Sequence, residues 1–101
     1  MRISGPVFAL AFLISSQAAA QPELESYRDC ASQWAESHIE RPDDAEALAQ
    51  AALDACSEQR KTMLASYEAA GFTEELSASY LESAESSIRN LLVAQIARWR
   101  G

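Results

Sequence analysis

Two cysteines, Cys30 and Cys56, are the residues of this chain best equipped for chemistry, and each lies thirteen positions from Asp43. Between them stands a turn signal, Glu40-Arg41-Pro42-Asp43-Asp44. Two antiparallel helices joined at that turn bring the two sulfurs to one height, where they form a disulfide. Two cysteines permit a single intramolecular pairing. Reactive or metal-bound thiols are the competing chemistry. Against it, the chain has no C-x-x-C spacing and only one histidine to assist.

That histidine, His38, falls near Glu40, Asp43, Asp44 and Glu46, a combination able to ligate a metal. These carboxylates already have a local reason, since they end one helix and begin the next. No metal or cofactor is expected. Ser32, Ser37, Ser57, Ser83, Ser86 and Ser87 lie in no nucleophile-elbow motif, and His38 has no identifiable orienting partner. Beyond residue 20 the glycines are Gly71 and Gly101, too few for a phosphate-cradling loop. A C-x-x-C-H haem attachment is also missing. No catalytic residue is assigned, and the chain reads as non-enzymatic.

Compartment follows from the first twenty residues, which read as a signal peptide. Arg2 supplies the positive start, Val7-Phe8-Ala9-Leu10-Ala11-Phe12-Leu13-Ile14 the apolar run, and Ala18-Ala19-Ala20 the small residues at the cleavage site. Cleavage is expected after Ala20, with Ala18 as the alternative. The run is eight residues, far short of the ~20 of a spanning helix, and nothing later is long and apolar enough to span. The expected product is residues 21–101, a single helical domain, periplasmic or secreted.

The full chain has 101 residues and a net charge of −7. Loss of Arg2 with the leader leaves seven basic residues against fifteen acidic ones. Such a surface repels phosphate backbones and anionic membranes, so nucleic acid is an improbable partner. A domain this small buries a limited core and benefits from a staple. Closing the loop between Cys30 and Cys56 contributes about 3–4 kcal/mol by the chain-entropy estimate.

The elements that position these residues are helices, and the fold class is all-α. The first is predicted at about 22–38, with Leu24, Tyr27, Ala31, Trp34 and His38 on one face and Cys30 at its edge. Pro42 stops it. Asp43 then reads as an N-cap with Glu46 completing a capping box. The second helix is predicted at about 44–70, with Leu48, Ala49, Ala52, Cys56, Met63, Tyr67 and Ala70 inward and Gly71 ending it. Thr73 caps a third, at about 74–99, whose apolar stripe is Leu76, Tyr80, Ala84, Ile88, Leu91, Leu92 and Trp99. Reflection about position 43 sets Trp34 against Ala52; reflection about 72 sets Cys56 near Ile88 and Leu53 near Leu91. The expected architecture is an up-down-up arrangement of three helices, the first two stapled by Cys30–Cys56, with the distal half of the second paired only with the third.

Two surfaces could then meet a protein partner or a second copy. One is the terminal Arg98-Trp99-Arg100, built of residue types enriched at binding hot spots. The other is a seam of Leu81, Ala84, Ile88, Leu91 and Gln95.

The pattern Tyr27-x-x-Cys30-x-x-x-Trp34-Ala35, a Pro-acidic turn, then Ala51-Ala52-Leu53-x-Ala55-Cys56 resembles small uncharacterised exported helical proteins of Gram-negative bacteria. The resemblance spans about a third of the chain. It implies periplasmic placement and a helical fold, and supplies no activity. Small acid-stress periplasmic chaperones share the architecture of helices with one disulfide, although their cysteines stand farther apart. The expected role is thus an exported helical protein-interaction module, with a holdase-type chaperone as the alternative.

Overall fold

The computed structural model describes residues 21–101. The signal-peptide reading, with its cleavage after Ala18 or Ala20, falls on residues outside that range. Four helices follow one another: α1 Gln21–Ser37, α2 Ala45–Ala55, α3 Ser57–Ala69 and α4 Glu74–Arg100. Among the described residues there is no strand, and no helix is long and apolar enough to cross a membrane.

Local chemistry sets most boundaries. After α1 the chain tightens: Ile39 N–H bonds Glu36 O and Arg41 N–H bonds His38 O, just before Pro42. The N-cap of α2 is Asp44, whose Oδ1 accepts the Ala47 N–H at 2.8 Å. The expected cap, Asp43, is one residue early because Arg41 engages its carboxylate, Nε at 3.0 Å and Nη2 at 3.2 Å. Thr73 caps α4 as predicted, its Oγ1 accepting the Leu76 N–H. At the end of α3, Gly71 takes φ +97°, a left-handed conformation that glycine adopts without penalty. Gly71 N–H bonds Glu68 O and Phe72 N–H bonds Tyr67 O, the paired bonds of a Schellman ending.

The stretch predicted as one helix over 44–70 is instead α2 and α3, so the described residues form four helices and not three. The break is at Cys56, where φ −106° and ψ 42° leave helical geometry. Its N–H bonds Leu53 O, and the ladder resumes with Arg60 N–H on Cys56 O. No glycine or proline lies between Ala45 and Ala69. The residue that departs is the one tied covalently to Cys30, at 6.1 Å between Cα atoms. A tertiary constraint here overrides a local preference for helix.

The core lies where all four helices meet. Tyr27, Ala31 and Ala35 enter from α1, Leu48, Ala49, Ala52 and Leu53 from α2, Met63 from α3, and Leu81, Ile88, Leu92 and Ile96 from α4; Cys56 is buried among them. The polar pairs Gln50–Arg89 and Arg60–Glu85 run oppositely along α2–α3 and α4, as the reflection about 72 requires.

Three face assignments need correction. On α1, Ala35 is buried while Trp34 is half-buried and stacks on His38, ring centroids 3.8 Å apart. On α4, Ser77, Leu81, Ile88, Leu92 and Ile96 are buried, whereas Leu76, Tyr80, Leu91 and Trp99 of the predicted stripe are exposed. Ile88 and Leu92 of the predicted stripe are buried as expected, while in the first half of α4 the buried face lies one residue on, Ser77 and Leu81 replacing Leu76 and Tyr80. Ala70, predicted inward, is exposed.

Candidate functional site: the exposed end of the α3–α4 hairpin

The N-terminal turn of α1 reaches as far as Thr62: Pro22, Glu23 and Ser26 share a shallow cleft with Glu58, Gln59 and Thr62. Past that level the hairpin consists of the end of α3, the turn and the start of α4. The overhang is shorter than expected, because α1 packs against α3 as well as α2 and the distal half of the predicted second helix does not pair with α4 alone; it extends about 12 Å at the usual helical rise.

Three aromatic rings gather there. Tyr67 and Phe72 lie 6.0 Å apart between centroids, Tyr67 and Tyr80 5.8 Å, and Phe72 and Tyr80 5.2 Å. The first contact joins the two positions that meet across a Schellman ending, so it also closes the turn. Tyr80 extends the cluster outward, and Leu76 precedes it by four residues on the same helical face. Tyr80 is 47% exposed and Leu76 44%. Burial, and then Tyr80 alongside, raises the Tyr67 phenol above its ordinary range. Tyr67 therefore stays neutral and presents an uncharged ring.

Beneath the overhang, a partly buried polar junction fixes the hairpin to α1. Tyr27 Oη donates to Glu85 Oε2 at 2.6 Å, and Arg60 Nε donates to the same oxygen at 2.8 Å. Glu85 is 16% exposed, whereas Arg60 is 49% exposed, so the pair is shielded on its carboxylate side only. Burial first, then the hydrogen bond to Glu85, pushes the Tyr27 phenol well above its usual value.

The predicted partner residues are at the opposite end. Arg98 and Trp99 are exposed, Trp99 by 39%. Arg100 is committed within the chain: Nε donates to Ile39 O at 3.2 Å, Nη1 to Asp43 O at 2.8 Å and Nη2 to Arg41 O at 3.0 Å. It thereby ties the end of α4 to the α1–α2 turn. Arg41 also approaches the Trp34 ring, 5.5 Å from its centroid, and His38 Nδ1 lies 2.7 Å from Trp34 O. These contacts engage His38, Arg41 and Asp43. Among the described residues no group of three or more His, Cys, Asp and Glu side chains could hold a metal ion.

The seam predicted along α4 is used internally. Leu81 and Ile88 are buried, and Gln95 Oε1 accepts from Ser32 Oγ. Leu91 stands apart, beside Leu24 and Arg28 in a groove between α1 and α4. The disulfide Cys30–Cys56 is formed as predicted. Phe72 escaped the sequence reading because it belongs to no periodic stripe; its place just after Gly71 was the available signal.

Comparison with protein-family models, with curated proteins and with solved structures finds no match to this chain.

Proposed function

We propose that this chain is an exported, non-enzymatic helical module that binds another protein through the overhanging end of its α3–α4 hairpin. The observation that carries the reading is the exposed row of Leu76 and Tyr80 continuous with Tyr67 and Phe72. Large apolar side chains grouped at one end mark interaction sites more often than scattered ones do. Tyrosine is also a residue type enriched at binding hot spots. The rest of the molecule supports this role by rigidity: a disulfide, a half-exposed ion pair and a carbonyl clamp hold the helices so that the tip is presented in one geometry. Export fits the disulfide, which persists in oxidising compartments, and the resemblance to small exported helical proteins points the same way.

Photo-crosslinking in the exporting cell tests the reading. A benzophenone amino acid at Tyr80 should trap another protein, while the same group at exposed Glu36 on α1 should not. Equal yields at both positions, or none at Tyr80, would refute it. Mass spectrometry of the exported product should give an N-terminus at Gln21 or Ala19 and no free thiol.

A further inference from the structure

We infer that the occupant of the hairpin end is a cationic amphipathic helix. This deepens the interaction reading above and rests on it. Between Lys61 and Arg89 the chain has no lysine, arginine or histidine, yet it has five glutamates. One of them, Glu85, is held by Tyr27 and Arg60. The other four, Glu68, Glu74, Glu75 and Glu82, are exposed and form no ion pair among the described residues. Glu74 and Glu75 have a local use in the first turn of α4. Glu68 and Glu82 have none of that kind.

The tip therefore carries ring faces and uncompensated negative charge, the charge acting through space, since Glu82 stands about 200° around α4 from Tyr80. Both attract cations, the carboxylates by Coulomb force and the rings through their quadrupoles. Leu76 and Tyr80, one turn apart, supply apolar contact of the kind that receives the apolar face of a helix. An extended peptide has no sheet edge to join here. Charge also decides against the other occupants. A second copy docking through the same patch would set glutamates against glutamates. Nucleic acid and anionic membranes are repelled outright.

The test titrates the oxidised protein with a synthetic Leu/Lys amphipathic peptide of about 18 residues, five helical turns. Controls are the same peptide with Glu for Lys and a scrambled Leu/Lys peptide of equal charge. Saturable binding should shift backbone amide resonances over residues 64–82 and leave α2 unmoved. Joint Leu76→Ala and Tyr80→Ala should weaken it about tenfold or more. Glu68→Gln with Glu82→Gln should weaken it and lessen its dependence on salt between about 50 and 500 mM, whereas Arg98→Ala should have no effect.

Equal binding of the Glu peptide or the scrambled peptide would overturn the inference, as would shifts spread over the whole molecule. Dimerisation that buries Tyr80 in sedimentation and resonance-shift experiments would replace it with a second copy. If the cationic peptide fails while crosslinking at Tyr80 still traps a protein, the partner class is wrong and the interaction role stands. If both fail, the role falls with it.

Discussion

Reducing the disulfide should cost this protein a large part of its stability. Cys30 and Cys56 are 26 positions apart, and a loop of that length removes about 3.5 kcal/mol of chain entropy from the unfolded state. A domain of this size has roughly 4–12 kcal/mol in all, at the usual per-residue stability. The loss corresponds to a fall in melting temperature of roughly 15–25 °C. Reduction is cleaner than mutation here because Cys56 is 1% exposed: reduction leaves its sulfur in the core, whereas alanine would add a cavity. Thermal and urea unfolding followed by circular dichroism, with and without a phosphine reductant, gives the difference directly. A reduced protein within about 1 kcal/mol of the oxidised one would refute the reasoning. The α1 contacts made by Tyr27, Ala31 and Ala35 would then suffice without the covalent tie.

Other perturbations test the remaining contacts. Tyr27→Phe should destabilise by about 1.5 kcal/mol by removing a hydrogen bond to a charged group, read by urea unfolding at neutral pH. Because folding raises the Tyr27 phenol above the ordinary value of 10.0, its contribution is complete below that pH. It then declines above about pH 10 by up to ~1.4 kcal/mol per unit as the unfolded chain ionises. Wild type should therefore lose stability between pH 9 and pH 11 more steeply than Tyr27→Phe, and parallel declines would contradict the assignment. Arg100→Ala should cost about 1 kcal/mol, modest because the clamp is near solvent, and Arg100→Lys should restore little because an ammonium lacks the planar fork; equal unfolding midpoints for all three proteins would remove the clamp from the account. Ser77 is fully buried and its Oγ has no partner, so Ser77→Ala should stabilise by about 1 kcal/mol in the same assay.

Local chemistry was the legible part of this fold. The cysteine pairing followed from equal distances to one turn, and Thr73 and Gly71 announced their caps by residue type. The break at Cys56 was invisible because no helix breaker stands there; it depends on a covalent partner on another helix. The inward face of the first half of α4 is hidden from the sequence for a related reason, whereas Ile88 and Leu92 are legible. Leu76 and Tyr80 are more apolar than Ser77, yet Ser77 is buried, because the face that docks is set by where α3 and α2 meet the helix. Arg100 was read as a partner residue since its three carbonyl partners lie between 57 and 61 positions away. Helix lengths point to an overhang but exaggerate it, since α1 also covers part of α3; its chemistry depends on the turn that brings Phe72 against Tyr67 and Tyr80.

The guanidinium clamp also bears on the order of folding. The α1–α2 turn is complete only when a side chain some sixty positions downstream arrives to receive its carbonyls. A chain emerging residue by residue can close the covalent loop early, but that corner stays loosely defined until the last helix docks. Truncation or proteolytic nicking near the close of α4 would thus be felt first at the far-upstream bend, where amide protection should drop before the tip is disturbed.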